Sequence, residues 1–190
     1  MNDNNLKSTI PDGTSRTQGV TEHILICSRN KEEHAMHLEL VLQRLQEKKL
    51  YAKFSKCEFW HKKVSFLGHV VSGEGSSVDQ VKNEAVNQWR VPKKAHEVRC
   101  FLGLVDYYRQ FLEGFYKINT PMTFLTYKDV KFEWIDKCGQ SFQELKRRLT
   151  TAQVLTILNG TEGYAIYSDA SGQGLVAILK KTGKVIAYAS

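Results

Sequence analysis

The 190-residue chain predicts an α+β fold, because helical and extended periodicities come in segregated groups rather than in alternating β-α units. Two observations carry this. Apolar residues recur at helical spacing in four stretches, residues 31–48, 79–89, 101–115 and 139–149. Short runs of strand formers fill residues 50–71 and 163–190, broken by turn residues.

Composition sets the bounds. The net charge is +7 and the pI near 9.2, which favours a polyanionic partner without requiring one. The length allows one domain or two small ones. Cys27, Cys57, Cys100 and Cys138 show no Cys-x-x-Cys pairing, which argues against a zinc ribbon or a disulfide scaffold and fits a reducing compartment. No apolar run approaches the ~20 residues of a membrane span, and residues 1–19 lack the apolar core of a signal peptide. The expectation is an intracellular protein, cytoplasmic or nuclear, with no membrane partner.

Residues 1–19 are polar, carry Pro11-Asp-Gly13 and show no apolar periodicity, so they read as a disordered tail. Ile24 to Cys27 reads as a short buried strand. Asn30-Lys-Glu-Glu33 forms a capping box, followed by Ala35, Leu38, Leu42 and Leu45 on one helical face. His34 and His37 lie one turn apart, and with no third ligand in reach they read as a solvated face rather than a metal site. Residues 50–71 read as extended segments and a hairpin, with Gly68 central in the second run. Asp79 caps a short helix carrying Val81, Ala85, Val86 and Trp89. Lys93 and Lys94 stand where a capping residue is usual and oppose the helix dipole.

Residues 101–115 organise the chain. On a helix, Phe101, Leu104, Tyr108, Phe111 and Phe115 form one stripe, with Arg99, Gly103, Asp106, Tyr107, Gln110 and Gly114 roughly opposite. A glycine inside a helix costs about 1 kcal/mol relative to alanine. Two on one face predict that something approaches the backbone closely: a packed helix, or a nucleic-acid backbone or groove. After an irregular link containing Pro121, Phe132-Glu-Trp134 reads as a strand. A helix over residues 139–149 turns Phe142, Leu145 and Leu149 inward, with Lys146-Arg147-Arg148 outward on a solvated face. Tyr164 to Asp169, Gly174 to Leu179 and Val185 to Ala189 read as strands.

Phe101-Leu-Gly-Leu-x-x-Tyr-Tyr-Arg-x-Phe111 resembles the thumb helix of the reverse transcriptases of gypsy-type LTR retrotransposons. The resemblance implies a helix lying along the minor groove of a template–primer duplex, with Arg99, Gly103 and Tyr107 facing the groove. Asp106 and Gln110 depart from the pattern and lower the positive charge offered to phosphate. Lys56-Cys-x-Phe59 followed by Phe66-Leu-Gly-His69 resembles the family's primer grip. That implies nucleic-acid contacts from Phe66, Leu67, Gly68 and His69, the glycine allowing backbone approach; a purely structural hairpin with a surface histidine is the alternative. Glu22 and His23 stand where the family has the paired aspartates that hold its catalytic Mg2+ ions. Two-metal phosphoryl transfer needs hard oxygen ligands, so a dead polymerase site is expected. The third aspartate of that site lies in a segment upstream of this sequence. Phe132-x-Trp134, Cys138, Ser141-Phe142, Leu145-Lys146 and Leu149 resemble the family's connection. Asp169-Ala-Ser-x-x-Gly174 resembles the opening of its ribonuclease H domain. Asp169 then matches the first of four catalytic, metal-binding carboxylates, and the other three would follow beyond Ser190; Val176 stands where a small residue is usual.

The expected organisation is a truncated reverse transcriptase palm and thumb followed by the first three strands of an RNase H-like domain. In order these are a disordered tail (1–19), the end of the palm with the hairpin (20–72), thumb-like helices (73–120), the connection (121–158) and a partial RNase H-like domain (159–190). The expected function is that of a fragment of a retrotransposon Pol polyprotein, catalytically inactive alone and binding no Mg2+ specifically, with residual affinity for an RNA–DNA hybrid or duplex DNA. The alternative is a non-binding remnant, or an interaction subunit docking on an intact polymerase.

Overall fold

A computed structural model describes residues 6–11, 23–158, 163–171 and 174–189. The chain divides into two compact units, Met1–Ser76 and Ser77–Ser190.

In the first unit β1 (Leu6–Pro11) lies between β2 (His23–Ser28) and β3 (Glu58–His61), antiparallel to both. Residues 6–11 are therefore the centre of a sheet, not part of a disordered tail. The alternation Leu6-Lys-Ser-Thr-Ile10 is short and is followed at once by Pro11-Asp-Gly13, which hid a strand whose stability comes from two partners. Helix α1 (Lys31–Glu47) begins where the capping box places it: the Asn30 side chain accepts from the Glu33 backbone N–H at 2.8 Å, and Glu33 accepts from the Arg29 N–H. Leu38 packs on Ile10 and Ile26, the small apolar core of this unit.

His34 is not on a solvated face. It is fully buried, with Nε2 2.7 Å from Ser8 Oγ, Nδ1 2.9 Å from Ser28 Oγ, and its ring edge-on to Trp60. Ser28 Oγ also lies 2.9 Å from His37 Nδ1. Helical spacing alone could not show that both serines of the adjoining strands would supply polar partners. A tight turn, Phe54–Lys56, leads into β3. The hairpin β4 (Lys63–Phe66) and β5 (His69–Ser72) follows, and β6 (Ser76–Val78) carries the chain across the unit boundary.

The second unit is built on helices. Asp79 caps α2 (Gln80–Asn87) through the Val81 N–H. Lys94, at the N-cap of α3 (Ala95–Tyr107), makes no side-chain cap bond; Glu97 instead accepts from the Lys93 N–H at 2.7 Å and brings a carboxylate to the first turn. Residues 101–115 are not one continuous helix. The α-helix stops at Tyr107, a 3-10 turn covers Arg109–Phe111, and Gly114 at φ 64° redirects the chain into α4 (Phe115–Phe124). The apolar stripe survives the break: Phe101, Tyr108, Phe111 and Phe115 are all buried, and Val98 and Val105 are buried beside them on α3. Glycine at 114 serves the positive φ, which a side chain would strain.

Residues 115–124 form α4, not an irregular link, and Pro121 is accommodated within it. Residues 132–134 form no strand. Phe132 and Trp134 lie in an extended connection with near-parallel rings, and Trp134 meets Phe142 edge-on. Helix α5 (Asp136–Thr150) buries Cys138, Phe142, Leu145 and Leu149. Its basic run is not simply solvated. Lys146 Nζ donates to the carbonyls of Asn87 and Trp89 at 2.7 and 3.0 Å, tying α5 to the end of α2. Arg147 and Arg148 both donate to Glu144, and Arg148 reaches the Glu113 carbonyl.

The last sheet has the order β7 (Tyr164–Ser171), β8 (Gly174–Lys181) and β9 (Lys184–Ala189), all antiparallel. The expected turn falls at Thr182-Gly183, both at positive φ. β9 joins the helical core: Val185 and Tyr188 pack against it, and the Thr156 N–H donates to the Val185 carbonyl at 2.9 Å. β7 lies on the far side of β8, with Ile166 and Tyr167 exposed.

Candidate nucleic-acid interface

The outer face of α3 is set by what its inner face buries. Val98, Phe101 and Val105 are fully withdrawn from water, and the 3.6-residue period then turns Arg99, Gly103 and Asp106 outward with Tyr107. All four are exposed. A methyl group built on Gly103 would meet nothing within 4 Å. Among the described residues none packs on this glycine, so its backbone lies open to an incoming molecule. Tyr107 is 52% exposed, and its ring stands edge-on against buried Tyr108 at 4.9 Å between centroids, which orients it. Burial, with Tyr107 and Asp79 nearby, pushes the Tyr108 hydroxyl up to about 12, so it remains neutral.

Two charges on this face are partly engaged. Arg99 Nη2 donates to the Thr126 carbonyl at 3.1 Å, which fixes the guanidinium and leaves its other donors available. Asp106 lies 3.4 Å from Arg109, an exposed pair of small energy that reduces the carboxylate's repulsion of phosphate.

The hairpin of the first unit closes through the pair Phe66 and His69. Leu67 and Gly68 both take positive φ, 49° and 76°, as in a type I′ turn whose twist matches the strands. Gly68 therefore answers a demand of the turn, and Leu67, exposed at its tip, adopts a conformation that a branched side chain rarely takes. His69 is half-buried, not a surface histidine, and burial pushes its imidazole below the ordinary value. Near neutral pH it would meet a phosphate as a hydrogen-bonding group rather than as a cation.

His23 begins β2, with its ring edge-on to Phe66 at 6.4 Å; Glu22 lies outside the described residues. Asp169 is exposed on β7, opposite Val176 of β8. The Mg2+ that the resemblance implies needs several converging oxygen ligands. Among the described residues no three His, Cys, Asp or Glu side chains converge. The donors these residues offer do not fit a divalent metal, and no chemistry is derived through one. No described helix is long and apolar enough to cross a membrane.

Comparison with known proteins accounts for this arrangement. Residues 134–190 match the RNase H-like domain found in reverse transcriptase. The chain is 32% identical over 160 residues to the Transposon Tf2-7 polyprotein of Schizosaccharomyces pombe, covering 84% of this chain and 12% of that polyprotein. It is 32% identical over 174 residues to the Retrovirus-related Pol polyprotein from transposon 297 of Drosophila melanogaster, covering 89% of this chain and 16% of the relative. The chain thus spans a small part of the polyproteins it matches. Its fold is shared with solved structures at 19% identity. The foamy viral protease-reverse transcriptase in complex with RNA/DNA hybrid superposes with a TM-score of 0.82, covering 100% of this chain and 33% of that one. The foamy viral protease-reverse transcriptase dRH in complex with double-stranded DNA gives 0.79, covering 98% of this chain and 43% of that one. The exposed helix face, the tight hairpin and the RNase H-like strands thus sit in one chain, and that chain belongs to the reverse transcriptase–RNase H family of retrotransposon Pol polyproteins.

Proposed function

We propose that the chain contributes a duplex-binding surface to a gypsy-type Pol polyprotein, holding an RNA–DNA hybrid or duplex DNA without sequence preference, and that it is catalytically inactive alone. The observation that carries this is the open backbone at Gly103, flanked on α3 by Arg99 and Tyr107. An exposed glycine inside a helix weakens that helix unless the space above it is used. A shallow groove edge fits there where a side chain would block it. The foamy viral enzymes are described in complex with double-stranded DNA and with RNA/DNA hybrid, which supports a duplex as the ligand class. The turn at Leu67-Gly68 offers a second, independent contact from the first unit.

Polymerase chemistry is assigned to neither His23 nor Glu22, because an imidazole and a longer carboxylate replace the short paired carboxylates that two-metal transfer requires. Asp169, a single carboxylate of the four that the resemblance implies for a nuclease, is assigned no nuclease role by itself. Purified protein should extend no primer with Mg2+ present, and extension would overturn this part.

Binding is tested by titrating a labelled RNA–DNA hybrid at several salt concentrations. Non-specific affinity of this type lies at ~10⁻⁴–10⁻⁶ M at physiological salt. The weak end is expected, given Asp106 and Gln110. Arg99→Ala should weaken binding to every sequence alike and flatten the salt slope by about one unit, and Asp106→Asn should strengthen it. No binding at low salt, or no effect of Arg99→Ala, would leave the non-binding remnant or a subunit docking on an intact polymerase as the reading.

A further inference from the structure

The most exposed large apolar side chain described here is Phe54, at 81%. It does not sit on a loose loop. The turn Phe54–Lys56 is closed by the Lys56 N–H donating to the Lys53 carbonyl at 2.9 Å and the Cys57 N–H donating to the Phe54 carbonyl at 3.0 Å. The Cys57 thiol also reaches the Lys53 carbonyl. Beneath Phe54 lies Phe59, centroid to centroid 6.0 Å and tilted by 31°. Phe59 in turn packs on the Ile10, Ile26 and Leu38 core. One side of the Phe54 ring is thus supported by an anchored aromatic, and the other is open to water.

Its surroundings are basic. Lys53 and Lys56 flank the ring, Lys62 and Lys63 follow, and all four are exposed, with Glu58 the one acidic residue between positions 50 and 73. Tyr51, 72% exposed, lies three residues before Phe54. A folded domain gains nothing by holding an unburied phenyl ring rigidly among lysines. A ligand with flat apolar rings on an anionic backbone gains from both features at once.

We propose that Phe54, with Lys53 and Lys56, is a stacking platform for an unpaired base of single-stranded nucleic acid. It is a site separate from the duplex-facing helix, though the proposal rests on the chain being a nucleic-acid binder. Every base presents a ring face, so such stacking is tolerant of sequence. The two lysines supply phosphate contacts on either side of the stacked base. Duplex DNA does not fit, because its bases are already stacked on one another and leave no face for the ring. Pre-ordering by the turn and by Phe59 lowers the conformational entropy lost on binding.

The test uses the full chain and fluorescein-labelled 20-mers of dT and rU, with an RNA–DNA hybrid of equal length as the control. Phe54→Ala should weaken single-strand binding by about fivefold or more, the range expected for losing one base–aromatic stack, and leave the hybrid unchanged. Phe54→Trp should preserve single-strand binding, with quenching of the introduced indole on titration. Lys53→Glu with Lys56→Glu should reduce the salt slope for the single strand. Because Phe54 is exposed, Phe54→Ala creates no cavity and should leave the thermal transition in place. Unchanged single-strand affinity in Phe54→Ala would overturn the proposal. So would an equal loss for single strand and hybrid, or no single-strand binding by the unmodified chain while the hybrid binds. The last outcome would turn the patch into a protein contact without touching the duplex reading, which Arg99→Ala tests alone.

Discussion

The two units are held together by different chemistry. The second buries an apolar cluster of sixteen described side chains that includes Val98, Phe101, Val105, Phe142 and Leu145. Among its described residues the first has a smaller apolar cluster, with Ile10, Ile26 and Leu38 buried and partly buried side chains such as Val41, Leu45 and Phe59 packed against them. It also buries Lys7, Ser8, Ser28 and His34. In the second unit the protonation state of the core hardly matters. In the first it decides whether the hydrogen-bond chain from Ser8 through His34 and Ser28 to His37 can form. The difference teaches that a small sheet capped by one helix can replace missing apolar area with a satisfied polar network, and that it then becomes sensitive to pH.

That contrast can be broken most severely from the apolar side. Phe101 is fully buried and packs against Phe142 and Trp89. Phe101→Ala should cost about 3–5 kcal/mol and lower the unfolding midpoint of the second unit. Amide exchange in residues 31–47 of the first unit should be unaffected. The polar counterpart is Ser28→Ala, which removes the hydroxyl that meets both His34 Nδ1 and His37 Nδ1. Leaving a buried polar group unsatisfied costs about 1–3 kcal/mol, so faster exchange is expected in β1, β2 and α1 and no change in α5.

A pH titration sharpens the comparison without a mutation. Burial, then the neighbouring His37 and Lys7, hold the His34 imidazole below 6.5. His69 is lowered by burial in the same direction. The unfolded chain then binds protons that the folded unit refuses, so stability is full above about 6.5 and declines as pH falls from there towards the lowered folded values. In the second unit the bonds from Arg147 and Arg148 hold the Glu144 carboxyl down to about 2, from 4.5. That contribution is complete above 4.5 and is lost only between 4.5 and about 2. Between pH 6.5 and 5 the first unit should weaken alone, as segment-resolved exchange would show; equal loss in both units would contradict the assignment. The smallest effect is expected for Glu144→Gln. Arg147 is exposed and Arg148 partly so, so a loss within about 1 kcal/mol at neutral pH should show as a slight shift of the second transition.

Where the sequence was legible, local spacing and tertiary demand agreed. The helix over residues 31–48, the caps at Asn30 and Asp79, the inward set Phe142, Leu145 and Leu149, and the turn near Gly183 all follow from patterns within one element. The outward placement of Arg99, Gly103 and Tyr107 also followed, because the buried face of α3 is strongly apolar. Legibility failed where distant partners decide. β1 has too few apolar residues to announce itself, and its burial comes from lying between two strands. His34 looked solvated because Ser8 is 26 residues away. Lys146 looked like any surface lysine until the end of α2 supplied two carbonyls. The break after Tyr107 was masked because the apolar stripe runs through it, so side-chain periodicity continued while the backbone changed course. Phe54 carried a weak signal, an aromatic between two lysines, that only its exposure and the ring beneath it make informative.

The attachment of β9 has a consequence for the order of folding. Most partners in the second core lie within a few tens of residues of one another, and helices of that kind assemble quickly. Val185 and Tyr188 join that core from the far end of the unit, and the bond from Thr156 to Val185 closes a long loop around β7 and β8. Loop closure must be completed before this contact contributes. The helices should therefore condense first, leaving open the part of the apolar core on which Val185 and Tyr188 later pack. During that interval the chain is most exposed to non-native pairing, so refolding yield should be limited by the docking of β9 rather than by the helices.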